Sequence, residues 1–255
     1  MDWHRYWDII VYRTYAELKS EAQLSYMGYV WWILEPLLNT VLFFVIMAAI
    51  VDQSRKGIFS FLLVGSIIWQ WLNASLLIAS NSIVDAGGML KQIYLPKAVL
   101  PLISIFSSTW KFLFIFVLLL VSVWVAGHPP TKAYACLPLL LLLEFAVIVS
   151  FTLPLAAIMP YFPDARITVD AFLRSGLLLS GVFFPASSLP AAYRVYFHLN
   201  PMADLIEAFR TVLLDGGWPR WHLLGYVALL CLCSLAVTAW LYRRVDRSIV
   251  KAIHR

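Results

Sequence analysis

Ionisable side chains that interrupt long apolar runs are the residues of this sequence most able to do chemistry. Four of them lie within or at the edge of apolar stretches: Glu35, Lys111, Glu144 and Arg174. Charge in a hydrocarbon environment is costly and usually serves a function, so each is a candidate site residue. Two interpretations of Glu35 stay open. It pairs with Lys111 or Arg174 at the inner mouth of a helix bundle, or it reaches the membrane surface beside Trp31 and Trp32.

Glu144 stands near the middle of the apolar run LLLLLEFAVIV. Two environments suit a carboxyl group there: burial in neutral form, or a hydrogen bond to Asn73 or Gln70 of a neighbouring run. The residues alone leave both open.

Other kinds of chemistry find little support in the sequence. The pattern GxxxxGK[ST] does not occur, so the chain is not expected to bind ATP through a Walker loop. The five histidines are scattered and form no spacing with the three cysteines that predicts a metal site. No spacing indicates a Ser/His/Asp set either, and we expect no catalytic residue.

The composition is that of a membrane protein. Of 255 residues, 62% are hydrophobic and 13% charged, against about 25% charged in a soluble domain. The mean hydropathy is +0.82. The net charge of +5 fits Lys and Arg gathered on cytoplasmic loops, and no basic segment interleaved with aromatic residues suggests nucleic acid as a partner.

The apolar runs predict an all-α polytopic membrane protein with six transmembrane helices. The predicted spans are 31–51, 58–79, 104–126, 133–158, 168–184 and 221–242. With both termini inside, thirteen of the 19 Lys and Arg residues fall on the inner side and six on the outer side. This bias predicts cytoplasmic termini, with a basic cytoplasmic tail at 243–255.

An amphipathic helix is predicted before the first span. Within residues 4–24, Trp7, Val11, Thr14 and Leu18 recur at helical spacing, and charged residues supply the opposite side. Such a helix lies in the plane of the membrane interface, or else packs on a partner as a soluble helix. Pro36, soon after, is interpreted as the break between this helix and the first span.

Two more segments are not plain spans. The inner loop between the second and third spans carries apolar side chains beside lysines, which indicates either a docking surface for another protein or a loop packed against its own bundle. Residues 185–220 are interrupted by prolines but remain apolar. Non-helical backbone at membrane depth must be covered by protein or line a cavity, so we expect re-entrant helices on the outer side.

Five segments in a fixed order resemble one family of membrane proteins. They are GYVWWILEP (28–36), GGMLKQIYLPKAVLPL (87–102), YFPDAR (161–166), GVFFPASSLP (181–190) and LNPMADLIEAFRTVLLDG (199–216). Together they resemble the type-2 permeases, the transmembrane subunits of polysaccharide ABC exporters of the Wzm, KpsM and TagG kind. The resemblance covers nearly the whole chain. It implies one transmembrane domain over 1–255, with a gate helix (1–27), spans 1–5 (31–184), an outer re-entrant segment (185–220) and a last span (221–242).

The resemblance also implies three groups of site residues. The expected ATPase-coupling helix, at about 85–97, contains Asp85, Met89, Lys91, Ile93, Tyr94 and Lys97. The expected inner mouth contains Trp31, Trp32, Glu35, Lys111 and Arg174. The expected outer gate contains Phe183, Phe184, Asn200, Glu207 and Arg210.

The function that the resemblance implies is export without chemistry in this chain. The expected protein is the channel-forming subunit of an ATP-driven exporter that moves a lipid-linked polysaccharide, such as O antigen or capsule, across the bacterial inner membrane. It is expected to form a homodimer on two copies of a separate ABC ATPase, which binds ATP and Mg²⁺. Two alternatives remain: the same fold exporting a small molecule or lipid, and an intramembrane enzyme or channel without an ATPase.

Overall fold

The computed structural model describes residues 3–24, 28–50, 57–86, 96–162 and 164–245, and these ranges are helical with no β-strand. The described α-helices are α1 (Trp3–Leu24), α2 (Val30–Ile50), α3 (Ile58–Asp85), α4 (Val99–Val125), α5 (Leu137–Ile158), α6 (Ala165–Leu179), α7 (Ala191–Phe197), α8 (Pro201–Leu213) and α9 (Trp221–Val245). Short 3₁₀ turns cover Lys132–Cys136 and Ala186–Ser188.

Four helices in the described ranges are long and apolar enough to cross a membrane. They are α3, α4, α5 with the 3₁₀ turn before it, and α9. These correspond to the second, third, fourth and sixth predicted spans. In α2 the described apolar part is shorter, Val30–Ile46, and α6 has only 15 residues. The described residues therefore support an all-helical membrane protein with four long apolar helices, and the six spans expected stay a prediction.

Helix α3 is the centre of the bundle. Residues 62–69 are buried on every side, the pattern of a helix surrounded by others. It packs against α2, α4, α5, α6 and α8. The amphipathic α1 lies along α4, where Ile10 clusters with Val99 and Ile103, and Trp7 meets Phe106 edge-on with ring centroids 5.5 Å apart.

Pro36 lies inside α2 and does not end it, so the interpretation of this proline as the break was wrong. The helix begins at Val30, just after Gly28, whose φ of 48° suits a glycine. The Oγ1 of Thr40 donates to the Pro36 carbonyl at 2.8 Å and also lies 2.8 Å from the Ser66 hydroxyl. The region of the proline is thus tied to α3.

A second proline, Pro154, explains a contact between α5 and α9. Proline has no backbone N–H, so it leaves the carbonyl four residues earlier, that of Ser150, without its helical donor. The hydroxyl of Ser234, on α9, donates to this carbonyl at 2.7 Å. In hydrocarbon, a freed carbonyl must be satisfied by a neighbouring helix, and Ser234 does this.

Glu144 is fully buried in α5. Its relative exposure is 0%, and neither carboxyl oxygen has a hydrogen-bond partner in the described part of the chain. The hydrogen bond to Asn73 or Gln70 considered from the sequence is therefore not formed between these residues. Burial is the alternative that the structure supports.

The outer segment expected at 185–220 contains the 3₁₀ turn Ala186–Ser188 and two short helices, α7 and α8. Helix α8 packs against α3, α5 and α9 and has residues 202–206 and 208–210 buried. The prolines break the segment as expected, since Pro190 precedes α7 and Pro201 opens α8.

Replacing Ser234 by alanine should lower the free energy of unfolding by about 1–2 kcal/mol, because the Ser150 carbonyl is then left unpaired. In a Pro154→Ala background the same change should cost much less, since the backbone N–H of residue 154 takes the carbonyl. Thermal unfolding of the four purified proteins in one detergent measures both effects. An equal loss in the two backgrounds would show that Ser234 does not act through the carbonyl freed by Pro154.

Candidate functional site

Arg210, on α8, joins three segments at the end of the bundle where α3 begins. It is 6% exposed, and its Nε donates to the carbonyl of Phe61 at 3.1 Å. Its Nη1 and Nη2 donate to the carbonyls of Gly181 and Val182 at 2.6 and 2.7 Å. The guanidinium carbon also lies 3.4 Å from the centroid of the Phe61 ring. One side chain therefore holds the first turn of α3, the chain that leaves α6, and α8.

The chain at the end of α6 needs these donors. Helix α6 ends at Leu179, and Gly181 follows with a φ of 74°, a conformation that residues with side chains rarely adopt. Gly181 and Val182 lie outside a regular helix, so their carbonyls lack the N–H donors that a helix would supply. Hydrogen bonds from a charged donor to such carbonyls contribute about 1.5–3 kcal/mol each.

Gly65 makes room for the guanidinium. A Cβ atom at this position would lie 2.1 Å from Nη2 of Arg210. The sequence analysis did not single out Gly65. A lone glycine inside a helix lowers stability by about 1 kcal/mol relative to alanine, so its presence is a sign that another group packs closely against the helix there.

The two phenylalanines expected at the outer gate pack within the chain. Phe183 meets Phe43 of α2 edge-on, with ring centroids 5.0 Å apart, and Phe184 lies 6.1 Å from Phe197 of α7. Both are half-buried. They hold the segment after α6 against two different helices.

Asn200 caps helix α8. Its side-chain oxygen accepts from the backbone N–H of Met202 at 3.0 Å, and its Nδ2 donates to the carbonyl of Leu179 at 3.4 Å. Asparagine is a preferred residue at this position because it satisfies a free N–H of the first turn. Asn200 thus links the end of α6 to the start of α8.

Glu207, expected at the outer gate, pairs with Arg220 just before α9. The Nη2 of Arg220 lies 3.7 Å from Oε1 of Glu207. Beside it, the sequence missed a buried pair in which Nδ1 of His198 lies 2.5 Å from Oδ1 of Asp204. Burial raises the pKa of the Asp204 carboxyl, while the hydrogen bond from His198 lowers it.

Asp204, Glu207 and Arg220 also line a cavity of about 20 Å³. One oxygen of each carboxylate, Oδ2 and Oε2, is buried without a partner in the described part of the chain. This volume accommodates a single water molecule. In the described ranges, no group of three His, Cys, Asp or Glu side chains is arranged to hold a metal ion.

The inner-mouth residues Trp32, Glu35 and Lys111 line one cavity of about 90 Å³ between α2, α3 and α4. Gln70 and Ser108 add polar groups to its wall. The Nζ of Lys111 lies 5.6 Å from the centroid of the Trp32 ring, within the range of a cation–π contact. Trp31 is 46% exposed and does not line this cavity.

The partners of the two inner-mouth cations differ from those expected. Lys111 forms its ion pair with Glu21 of α1, and Arg174 pairs with Asp170 on its own helix, with Nη2 and Oδ2 2.7 Å apart. Within the described residues, neither cation makes the ion pair with Glu35 considered from the sequence. Arg174 is 79% exposed and stands apart from the cavity.

The expected coupling helix cannot be placed. Met89, Lys91, Ile93 and Tyr94 lie outside the described residues. Asp85 ends α3 and is exposed, whereas Lys97 is only 3% exposed. Lys97 is therefore packed within the chain rather than presented at its surface.

In the described residues, an all-helical bundle with four helices long and apolar enough to cross a membrane, and with polar clusters towards both ends, is the architecture of a multi-pass membrane protein. Residues 12–214 match the model of the ABC-2 type transporter family. The chain belongs to this family.

Similar proteins align over most of the chain. It is 24% identical over 218 residues to the O-antigen export system permease protein RfbA of Myxococcus xanthus, covering 85% of this chain and 84% of that protein. It is 22% identical over 214 residues to an O-antigen export system permease protein RfbA of Klebsiella pneumoniae, covering 82% of this chain and 81% of that protein. The polysialic acid transport protein KpsM of Escherichia coli is 25% identical over 241 residues, 92% of each chain.

Replacing Gly65 by alanine should lower the free energy of unfolding by about 1–3 kcal/mol, because the added methyl group displaces the Arg210 guanidinium. Gly225→Ala is the matched control. Gly225 also lies in a helix, but its added Cβ meets no atom within 4 Å, so the change should be neutral or raise stability by up to about 1 kcal/mol. Thermal unfolding of both variants checks this. Equal stability of the two would mean that Arg210 does not need the space at Gly65.

A double-mutant cycle should identify the partner of Lys111. Glu21→Gln and Lys111→Met should show a coupling energy of about 0.5–1 kcal/mol, the size typical of a partly exposed ion pair. Glu35→Gln and Lys111→Met should show almost none. The cycle is measured by unfolding in detergent, and a larger coupling with Glu35 than with Glu21 would contradict the observed pairing.

Proposed function

We propose that this chain is the channel-forming membrane subunit of an ATP-driven exporter that moves a lipid-linked polysaccharide across the bacterial inner membrane. The observation that carries the proposal is similarity along most of the chain to two groups of permeases. The names of those relatives state O-antigen export and polysialic acid transport, and both cargoes are chains of sugars. Membership of the ABC-2 type transporter family supports export as the process.

In this proposal the chain crosses the membrane six times. Helix α2 has 21 residues and a length of about 31 Å, close to the thickness of the hydrocarbon core. Helix α6, with 15 residues, is too short alone, so the chain through Phe183 and Phe184 completes the fifth crossing, and α7 and α8 form the outer re-entrant segment. Six crossings leave both termini in the cytoplasm, in agreement with the bias of Lys and Arg.

ATP is bound by a separate subunit in this proposal, since the sequence has no Walker loop. The inner loop at 85–97 docks on that ATPase, with Lys91 and its neighbours as the contact. Two permeases and two ATPases form the complete exporter. Exposed apolar residues on α2, among them Leu38, Leu42 and Val45, offer a surface that faces lipid or the second copy.

The described contacts suggest how the two ends of the bundle serve export. At the inner end, the link between α1 and α4 through Glu21 and Lys111 connects the amphipathic helix to the bundle wall. At the outer end, Arg210 ties α8 to the start of α3 and the end of α6. Because these contacts join whole helices, a path for the polysaccharide opens when the joined helices move together. A motion that the ATPase starts at the inner end then reaches the outer end through rigid helices.

Deleting the gene in its native bacterium should remove the polysaccharide from the cell surface and trap its lipid-linked form inside. Antibody or lectin labelling of intact cells, compared with lysed cells, measures the two pools. A plasmid copy of the wild-type gene is the control and should restore the surface signal. Unchanged surface polysaccharide in the deletion strain, with no internal accumulation, would exclude a polysaccharide cargo.

A further inference from the structure

A second cavity, not used by the proposed export path, lies between α1 and the bundle. Its volume is about 290 Å³, whereas a single water molecule needs about 10–15 Å³ by the same measure. Helix α1 contributes Glu17, Ser20 and Glu21, and α3 contributes Ile78. Helix α4 contributes three serines, Ser104, Ser107 and Ser108.

The three serines of α4 present unpaired hydroxyl groups to this cavity. They recur at helical spacing on one face and are 7%, 6% and 5% exposed. Within the described residues, none of the three hydroxyls has a hydrogen-bond partner. Six other serines, by contrast, donate to a carbonyl three or four residues earlier: Ser66, Ser80, Ser82, Ser122, Ser150 and Ser180. Three hydroxyls that open onto the cavity without a protein partner can donate to a polar group bound there.

The opposite wall is acidic. Glu17 and Glu21 line the cavity at its open side, where both residues are also exposed. Burial raises the pKa of the Glu17 carboxyl, although Arg13 and Lys111 lower it. Glu21 pairs with Lys111 at the edge of the cavity. The site therefore offers carboxylate acceptors on one side and hydroxyl donors on the other.

The depth of the cavity fits a lipid headgroup. Helix α4 has 27 residues, about 40 Å, and exceeds the hydrocarbon core of about 30 Å by roughly 5 Å at each end. Ser104 lies five residues after Val99, the first residue of α4, or about 8 Å along the axis. Ser104 thus stands about 2–3 Å inside the boundary between headgroups and acyl chains, and Ser107 and Ser108 about 7–8 Å inside it, within the depth that an amphipathic interface helix reaches.

We propose that this cavity binds the headgroup of a phospholipid that carries a primary ammonium group, in the inner leaflet of the proposed orientation. The ammonium donates to the carboxylate of Glu17 and to Oε1 of Glu21, whose Oε2 already pairs with Lys111, and the phosphate oxygens accept from the serine hydroxyls. A phosphoglycerol headgroup would bring negative charge close to the two carboxylates and has no ammonium group to donate to them. A trimethylated ammonium cannot donate a hydrogen bond. The bound lipid fastens α1 to α4.

The test uses the purified full-length chain, stripped of lipid in detergent and then mixed with three lipids of identical acyl chains. Native mass spectrometry should show retention of phosphatidylethanolamine at least tenfold above phosphatidylglycerol and phosphatidylcholine, because a charge-assisted hydrogen bond is lost with either. The variant Ser104→Ala with Ser107→Ala, and separately Glu17→Gln, should each reduce this preference about tenfold. Equal retention of the three lipids by the wild type would overturn the proposal.

Ser122→Ala is the matched control, since Ser122 lies on α4 but donates to the carbonyl of Leu118. It should keep the lipid preference. The melting temperature without lipid should not fall in Ser104→Ala with Ser107→Ala, because these hydroxyls have no protein partner to lose. A variant that kept full preference would place the headgroup elsewhere. The assay needs neither an ATPase nor a glycan, so its failure is distinguishable from failure of the proposed export function.

Discussion

The need to satisfy backbone carbonyls away from water governs the end of this bundle where α3 begins. Helix α6 stops at Leu179 and the chain turns at Gly181, which frees carbonyls in an apolar setting. Arg210 supplies donors to two of them and to the first turn of α3. Gly65 has no side chain because the guanidinium occupies that space. The cap of Asn200 on α8 and the packing of Phe183 against Phe43 hold the same region of the chain.

The sequence predicted the long helices because hydropathy and length are local properties. Spans at 58–79, 104–126, 133–158 and 221–242 correspond to α3, α4, α5 and α9. The fifth predicted span ends early because Ser180 and Gly181 turn the chain, and an apolar run such as LLLSGVFF does not reveal the turn. Pro36 was interpreted as a break, but a proline inside a membrane helix is tolerated where neighbours satisfy the backbone.

The sequence predicted several residues of the candidate site, but not the partners that these residues contact. Lys111 and Glu35 were found because charge in an apolar run is conspicuous, whereas Arg210 entered through the family resemblance, as part of the expected outer gate. Their partners come from distant segments: Glu21 lies 90 residues before Lys111, and Phe61 lies 149 residues before Arg210. Backbone carbonyls carry no sequence signal at all. The face that α1 turns to α4 was also hidden, since both its aromatic and its acidic residues recur at helical spacing.

The most direct test of the proposed exporter is to isolate the tagged chain from its native membranes under gentle conditions and weigh the intact complex. The proposal predicts two copies of this chain with two copies of an ABC ATPase, co-eluting in equal amounts. A homo-oligomer free of any nucleotide-binding subunit, under conditions that keep other ABC complexes whole, would contradict it and favour a channel or an intramembrane enzyme.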